Sequence, residues 1–193
     1  MLLNKLIYSQ FIIAILTLLV SGCSITESTF KEIKQENDGG NKVFTDAISA
    51  MRSGNTKKAQ SLLIKVIEQH PYLSNAYVNL GIIQINNKQH NKAETSFQKA
   101  LKVNPKNIYA LNQLGFIYRK KGEFYKAKES YEKAIDINNG YAYAHLNLGI
   151  LYDLYLYDLE HALKQYKIYN KLTKDKNSQV KKWIFDLERR LKK

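Results

Sequence analysis

Residues 77–81 read Tyr-Val-Asn-Leu-Gly, residues 111–115 read Leu-Asn-Gln-Leu-Gly, and residues 145–149 read His-Leu-Asn-Leu-Gly. The closing glycines Gly81, Gly115 and Gly149 are 34 residues apart, and so are the alanines Ala59, Ala93 and Ala127 and the prolines Pro71 and Pro105. A fixed period of 34 points to an array of helix-turn-helix units stacked on one another. Within each unit apolar residues recur at helical spacing. The small residues let two helices of a hairpin approach closely. Each proline stops one unit before the next begins.

Aligned on the Leu-Gly pair as positions 7 and 8, the units start at Ser74, Ile108 and Ala142. Position 4 holds Tyr77, Leu111 and His145, and position 24 holds Phe97 and Tyr131, with Tyr166 their counterpart one residue later in the fourth unit. A degenerate first unit from Gly40 keeps Val43, Ala47, Gly54, Ala59, Leu63, Val66 and Pro71. This set resembles the tetratricopeptide repeat (TPR) family over residues 40 to 173. The resemblance implies an all-α, right-handed α-solenoid of about four TPR hairpins. Its repeats span 40–73, 74–107, 108–141 and 142–175.

The fourth unit departs from the period. Gly149 and Ala162 are 13 residues apart where the equivalent pairs are 12 apart, so one extra residue lies within Asp153 to Asp158. Two tyrosines stand there and the turn glycine is missing. A longer helix packed on the C-terminal segment is the plain expectation, and an aromatic contact patch is the functional one. Beyond it, Val180, Trp183, Ile184, Leu187 and Leu191 fall on one helical face. Residues 176–193 therefore read as a capping helix that seals the last repeat.

Residues 1–22 read as a processing segment: Lys5, then an apolar run from Phe11 to Val20 broken only by Thr17, then Ser21-Gly22 before Cys23, the only cysteine. The run has the length of a signal-peptide core and is short for a membrane span. The segment resembles the bacterial lipoprotein signal. That resemblance implies cleavage before Cys23, a covalent lipid on Cys23 and, because Ser24 rather than Asp follows, sorting to the outer membrane facing the periplasm. More than one acyl chain makes a stable anchor. Residues 23–39 are polar and read as a tether.

The net charge of +13 could favour an anionic partner, but the lysines are spread along the chain and do not draw a nucleic-acid stripe. The four histidines form no His-x-x-x-His pair, and the chain lacks a phosphate loop and a Gly-x-Ser-x-Gly elbow. Neither an enzyme, nor a metal, nor a cofactor beyond the lipid is expected.

The family resemblance implies that first helices line a concave groove through positions 2, 5, 6, 9, 12 and 13. Position 6 gives Asn79, Gln113 and Asn147, an amide row suited to a peptide backbone. Position 2 gives Asn75, Tyr109 and Tyr143. Position 9 gives Ile48, Ile82, Phe116 and Ile150, and position 5 gives Phe44, Val78, Asn112 and Leu146. Arg119, Lys120 and Asp153 stand at the edge. The carboxylate clamp of some family members needs Lys and Asn where Phe44 and Ile48 stand, and basic residues where Tyr109 and Gln113 stand. An apolar or amphipathic protein segment is therefore the expected guest. The envelope reading extends this to a scaffold for a pilus or secretion-type complex. The alternative is an accessory factor of a cell-wall or polysaccharide enzyme.

Overall fold

The computed structural model describes residues 42–174 and 176–192. The expected signal segment, Cys23 and the tether lie outside the described residues. Those that are described build nine helices. They are α1 (42–52), α2 (Thr56–Gln69), α3 (Ser74–Asn86), α4 (His90–Val103), α5 (Ile108–Lys120), α6 (Phe124–Ile137), α7 (Ala142–Leu151), α8 (Leu159–Leu172) and α9 (Ser178–Leu191). A π-helical turn, Tyr152–Leu156, continues α7. The architecture is an all-α solenoid of paired helices.

The second, third and fourth hairpins each close around a glycine and a ring. A Cβ added at Gly81, Gly115 or Gly149 would lie 2.5, 2.5 or 2.6 Å from the ring of Phe97, Tyr131 or Tyr166. The aromatic thus lies flat against the backbone of the first helix, where only glycine leaves room. The alanines do the same service on the second helix: Ala59, Ala93, Ala127 and Ala162 are fully buried. Successive hairpins then pack α2 on α3, α4 on α5 and α6 on α7, and first helices also touch along α3, α5 and α7. No hairpin could bury its apolar residues alone, so the core runs between neighbours.

The turns inside the hairpins repeat as well. Gly54, Lys88, Gly122 and Tyr157 have left-handed backbones, with φ of 75, 60, 78 and 55°. In the first three, the following N–H donates to a carbonyl five residues back: Asn55 to Ala50, Gln89 to Gln84 and Glu123 to Tyr118. In the fourth it reaches back six, from Asp158 to Tyr152 at 2.9 Å. The extra residue is therefore absorbed as a π turn, which widens the helix by one residue without changing how it ends.

Side chains cap helix starts both inside hairpins and between units. The Asn55, Asn107, Asp158 and Asn177 side chains accept from backbone N–H groups at the starts of α2, α5, α8 and α9. Where Asn139 replaces the expected proline, His145 stabilises the turn: its Nε2 is 2.9 Å from the Asn139 carbonyl oxygen and its Nδ1 is 2.7 Å from Gln165 Oε1. At the end of the stack α9 packs on α8 through buried Val180 and Leu187 and half-buried Trp183 and Ile184. The Trp183 and Tyr166 rings are 5.3 Å apart. Leu191, expected on this face, is 39 % exposed at the last turn.

Candidate binding face

The first helices present one residue of each marked position per repeat. Ile82, Phe116 and Ile150 are all half-buried, so each keeps apolar surface open on adjacent helices. Position 5 differs: Val78 and Asn112 are 4 % and 5 % exposed, sealed between helices, whereas Phe44 and Leu146 are half-buried.

The amide row is partly engaged within the fold. Asn79 Nδ2 donates to the Asn75 carbonyl at 2.8 Å, on its own helix. Asn147 Nδ2 donates to Asn112 Oδ1 at 2.9 Å, tying α7 to α5. Gln113 is half-buried beside them. Each amide still holds an oxygen and a second N–H proton for a guest.

At the helix N-termini the two junctions have different chemistry. Between the second and third units, Asn107 is 6 % exposed and its Nδ2 donates to Ser74 Oγ at 2.8 Å and Asn75 Oδ1 at 2.9 Å. Its Oδ1 accepts from the Tyr109 and Ala110 N–H groups. Between the third and fourth units, Tyr141 takes the place of Asn107, and the rings of Tyr109 and Tyr143 flank it at 5.4 and 6.2 Å. Burial first, then the neighbouring phenols, push the Tyr141 hydroxyl up to about 12. Tyr109 and Tyr143 remain 50 % and 61 % exposed. Asn75, Asn107, Ile108, Tyr109, Ile137 and Asn138 line an open hollow of about 400 Å³.

At the other end of these helices, Arg119 lies against two rings, 5.7 Å from the Phe116 centroid and 5.6 Å from that of Tyr155. Lys120 is 5.9 Å from Phe116. Tyr155 comes from the π turn and also packs against Phe124, with the ring centroids 4.9 Å apart and the planes tilted by 43°. Beneath, burial pushes the Tyr131 phenol up to about 12, a rise that the adjacent Arg119 guanidinium offsets only in part. Asp153 pairs with Arg190 of α9 at 3.7 Å and accepts from the Tyr166 hydroxyl at 3.4 Å. Arg119 is thus a cation held in place by rings rather than by a carboxylate.

The structure therefore gathers Phe116 and Arg119 with Tyr155, sets Asn147 on Asn112, and groups Tyr109 and Tyr143 around Tyr141. Tyr141 and Asn107 are not among the residues expected from sequence, whereas Asn112 is expected at position 5 and Tyr155 as one of the two tyrosines of the irregular turn. Asn107 carried a signal, an Asn just ahead of a helical run. Tyr155 carried only the broken period. Among the described residues no three His, Cys, Asp or Glu side chains come together to hold a metal ion. No described helix is long and apolar enough to cross a membrane.

A family model described as the tetratricopeptide repeat protein 21 C-terminal ARM domain matches residues 24–150. Among solved structures, one from the functional characterisation of Pseudomonas aeruginosa pilF is similar with a TM-score of 0.74 and 18 % identity, over 82 % of this chain and 71 % of that one. The crystal structure of MamA is similar with a TM-score of 0.61 and 25 % identity, over 77 % of this chain and 87 % of that one. The first TPR of Spaghetti (RPAP3), bound to the HSP90 peptide SRMEEVD, has a TM-score of 0.58 and 18 % identity, over 62 % of this chain and 94 % of that one. The two matches at 18 % show a shared fold. No curated protein sequence matches.

Proposed function

The chain belongs to the tetratricopeptide repeat family described by that ARM-domain model, and from this we propose that its array is a protein-interaction scaffold holding an apolar or amphipathic segment of a partner. One observation carries the reading: Ile82, Phe116 and Ile150 leave apolar surface open on the touching first helices of three successive units, beside amides at Asn79, Gln113 and Asn147. Side chains of this kind bind a segment through apolar pockets and backbone hydrogen bonds. That a protein of the same fold carries a bound peptide supports the assignment. The guest differs from a C-terminal carboxylate, because Phe44, Ile48, Tyr109 and Gln113 occupy the positions where the clamp needs Lys, Asn and basic residues.

Joined to Cys23, the scaffold is a lipid-anchored protein of the bacterial envelope that serves assembly of a pilus or secretion-type complex. A second reading, an accessory factor of a cell-wall or polysaccharide enzyme, draws on the exposed Tyr109 and Tyr143 rings, which suit stacking on sugars. The test is site-specific photo-crosslinking of the full chain in cells, with the photoreactive residue at 79, 113 or 147 and, as control, at exposed Lys99 of α4. One polypeptide segment crosslinked from all three positions and absent from the control is the expected result. Crosslinks no different from the control sink the groove. A glycan as the sole ligand selects the second reading. An unmodified Cys23 in mass spectra of the mature protein removes the anchor while leaving the groove.

A further inference from the structure

Helix α9 has a second face. Its packed side meets α8 through Val180, Trp183, Ile184 and Leu187. At 3.6 residues per turn, the opposite side carries Lys181, Lys182, Phe185, Arg189 and Lys192, all exposed. Phe185 is 70 % exposed.

The carboxylates of α9 stand on the flanks and are engaged. Glu188 pairs with Lys167 of α8 at 2.6 Å, and Asp186 pairs with Arg189 at 2.8 Å and Arg190 at 3.6 Å. Among the described residues no carboxylate lies within ion-pair distance of Lys181, Lys182 or Lys192. The outward face is therefore a single phenyl ring surrounded by cations.

Two partners suit a cationic face: an acidic protein and an anionic lipid surface. A specific protein interface needs roughly 800 Å² per partner with an apolar centre. One phenyl ring among long, solvated lysines supplies little of that. The same arrangement fits a bilayer surface, where an aromatic side chain enters the headgroup layer and lysines meet lipid phosphates. The charge is complementary and the contact needs no preformed pocket.

We propose that the outward face of α9 rests on an anionic phospholipid surface, with Phe185 in the headgroup layer and Lys181, Lys182 and Lys192 against the phosphates. This contact is separate from the groove on the first helices, and it does not require a lipid on Cys23.

Trp183 is the only tryptophan in the chain, which gives a local probe. The full chain carrying Trp183→Phe and Phe185→Trp is mixed with vesicles of phosphatidylglycerol and phosphatidylcholine bearing dibrominated acyl chains, and with phosphatidylcholine alone. The fluorescence reports position 185, so vesicle binding by other parts of the chain does not register. With anionic vesicles the emission is expected to shift to the blue and be quenched, with the effect lost in about 1 M salt. Adding Lys181→Gln and Lys182→Gln should lower the apparent partition constant about thirtyfold, with circular dichroism showing the helices intact. Phe185→Trp alone, read as a difference from wild type, covers a failure of the double variant to fold. Emission with anionic vesicles equal to that with neutral vesicles overturns the proposal. So does a shift on adding poly-L-glutamate that vesicles fail to produce, which would assign the face to an acidic polypeptide.

Discussion

A glycine under a ring sets the distance between the helices of a hairpin. The rings that cover Gly81, Gly115 and Gly149 belong to Phe97, Tyr131 and Tyr166, which are at most 1 % exposed and have no room to swing aside. In Gly115→Ala the new Cβ would lie 2.5 Å from Tyr131 Cε1, well inside contact distance. Alanine would favour the helix by about 1 kcal/mol, while overpacking a filled core typically costs about 1–3 kcal/mol. The clash is with a fixed ring, so the second effect should win. We expect Gly115→Ala to lose about 1–2 kcal/mol, seen as a lower urea midpoint at unchanged slope. A variant as stable as wild type would mean that the ring and glycine do not set the spacing. Gly122 is a different case: nothing lies within 4 Å of its position, and its φ of 78° alone explains the residue. Lys88 adopts φ 60° at the same place in the second unit without that freedom, at a cost of roughly 1 kcal/mol.

The π turn is the element in which this chain differs from a regular array. It carries the one residue by which the fourth unit exceeds the period, and the helix widens instead of the hairpin shifting. The count from Gly149 to Ala162 located the insertion in the sequence, because both residues are fixed by contacts that tolerate no bulk. The count could not tell a longer helix from a π turn, since both hold the same number of residues. Nor could it place Tyr155, whose partners Phe124 and Arg119 come from the neighbouring hairpin. The candidate binding face was legible to the same extent. Position in the repeat gave Phe116 and Arg119, but the engagement of Asn79 and Asn147 with Asn75 and Asn112 depends on side-chain rotamers that periodicity does not encode. The π turn bears a prediction of its own. Tyr155 covers both a ring and a guanidinium, so Tyr155→Ala should destabilise the protein by about 1–2 kcal/mol. In a double-mutant cycle with Arg119→Gln, the two substitutions should couple by about 0.5–1 kcal/mol. Strict additivity in urea melts would show that the guanidinium does not rest on Tyr155.

Over the whole stack, packing passes only between neighbours. Contacts run from α2 to α9 in chain order, with first helices adding a second line from α3 through α5 to α7. The stability of such an array is close to a sum of units and interfaces, so damage at one end should stay near that end. The end in question is well defined. Helix α9 covers Tyr166 through Trp183, and its Val180 and Leu187 are buried in the cluster that also holds Leu148, Leu151, Tyr152 and Tyr169. It also brings Arg190 to Asp153, a carboxylate whose side chain is only 12 % exposed and which accepts from the Tyr166 hydroxyl. A chain ending at residue 174 would therefore open the last hairpin's apolar surface to water and leave a largely buried carboxylate without its cation. The hairpins before it keep all their partners. Hydrogen exchange should then accelerate by at least about tenfold through α7, the π turn and α8, which corresponds to a local loss of about 1.4 kcal/mol or more. Amides of α2, α3 and α4 should keep their protection. If protection fell equally along all the helices, the array would be one cooperative unit, and neighbour-only packing would not describe how it holds together.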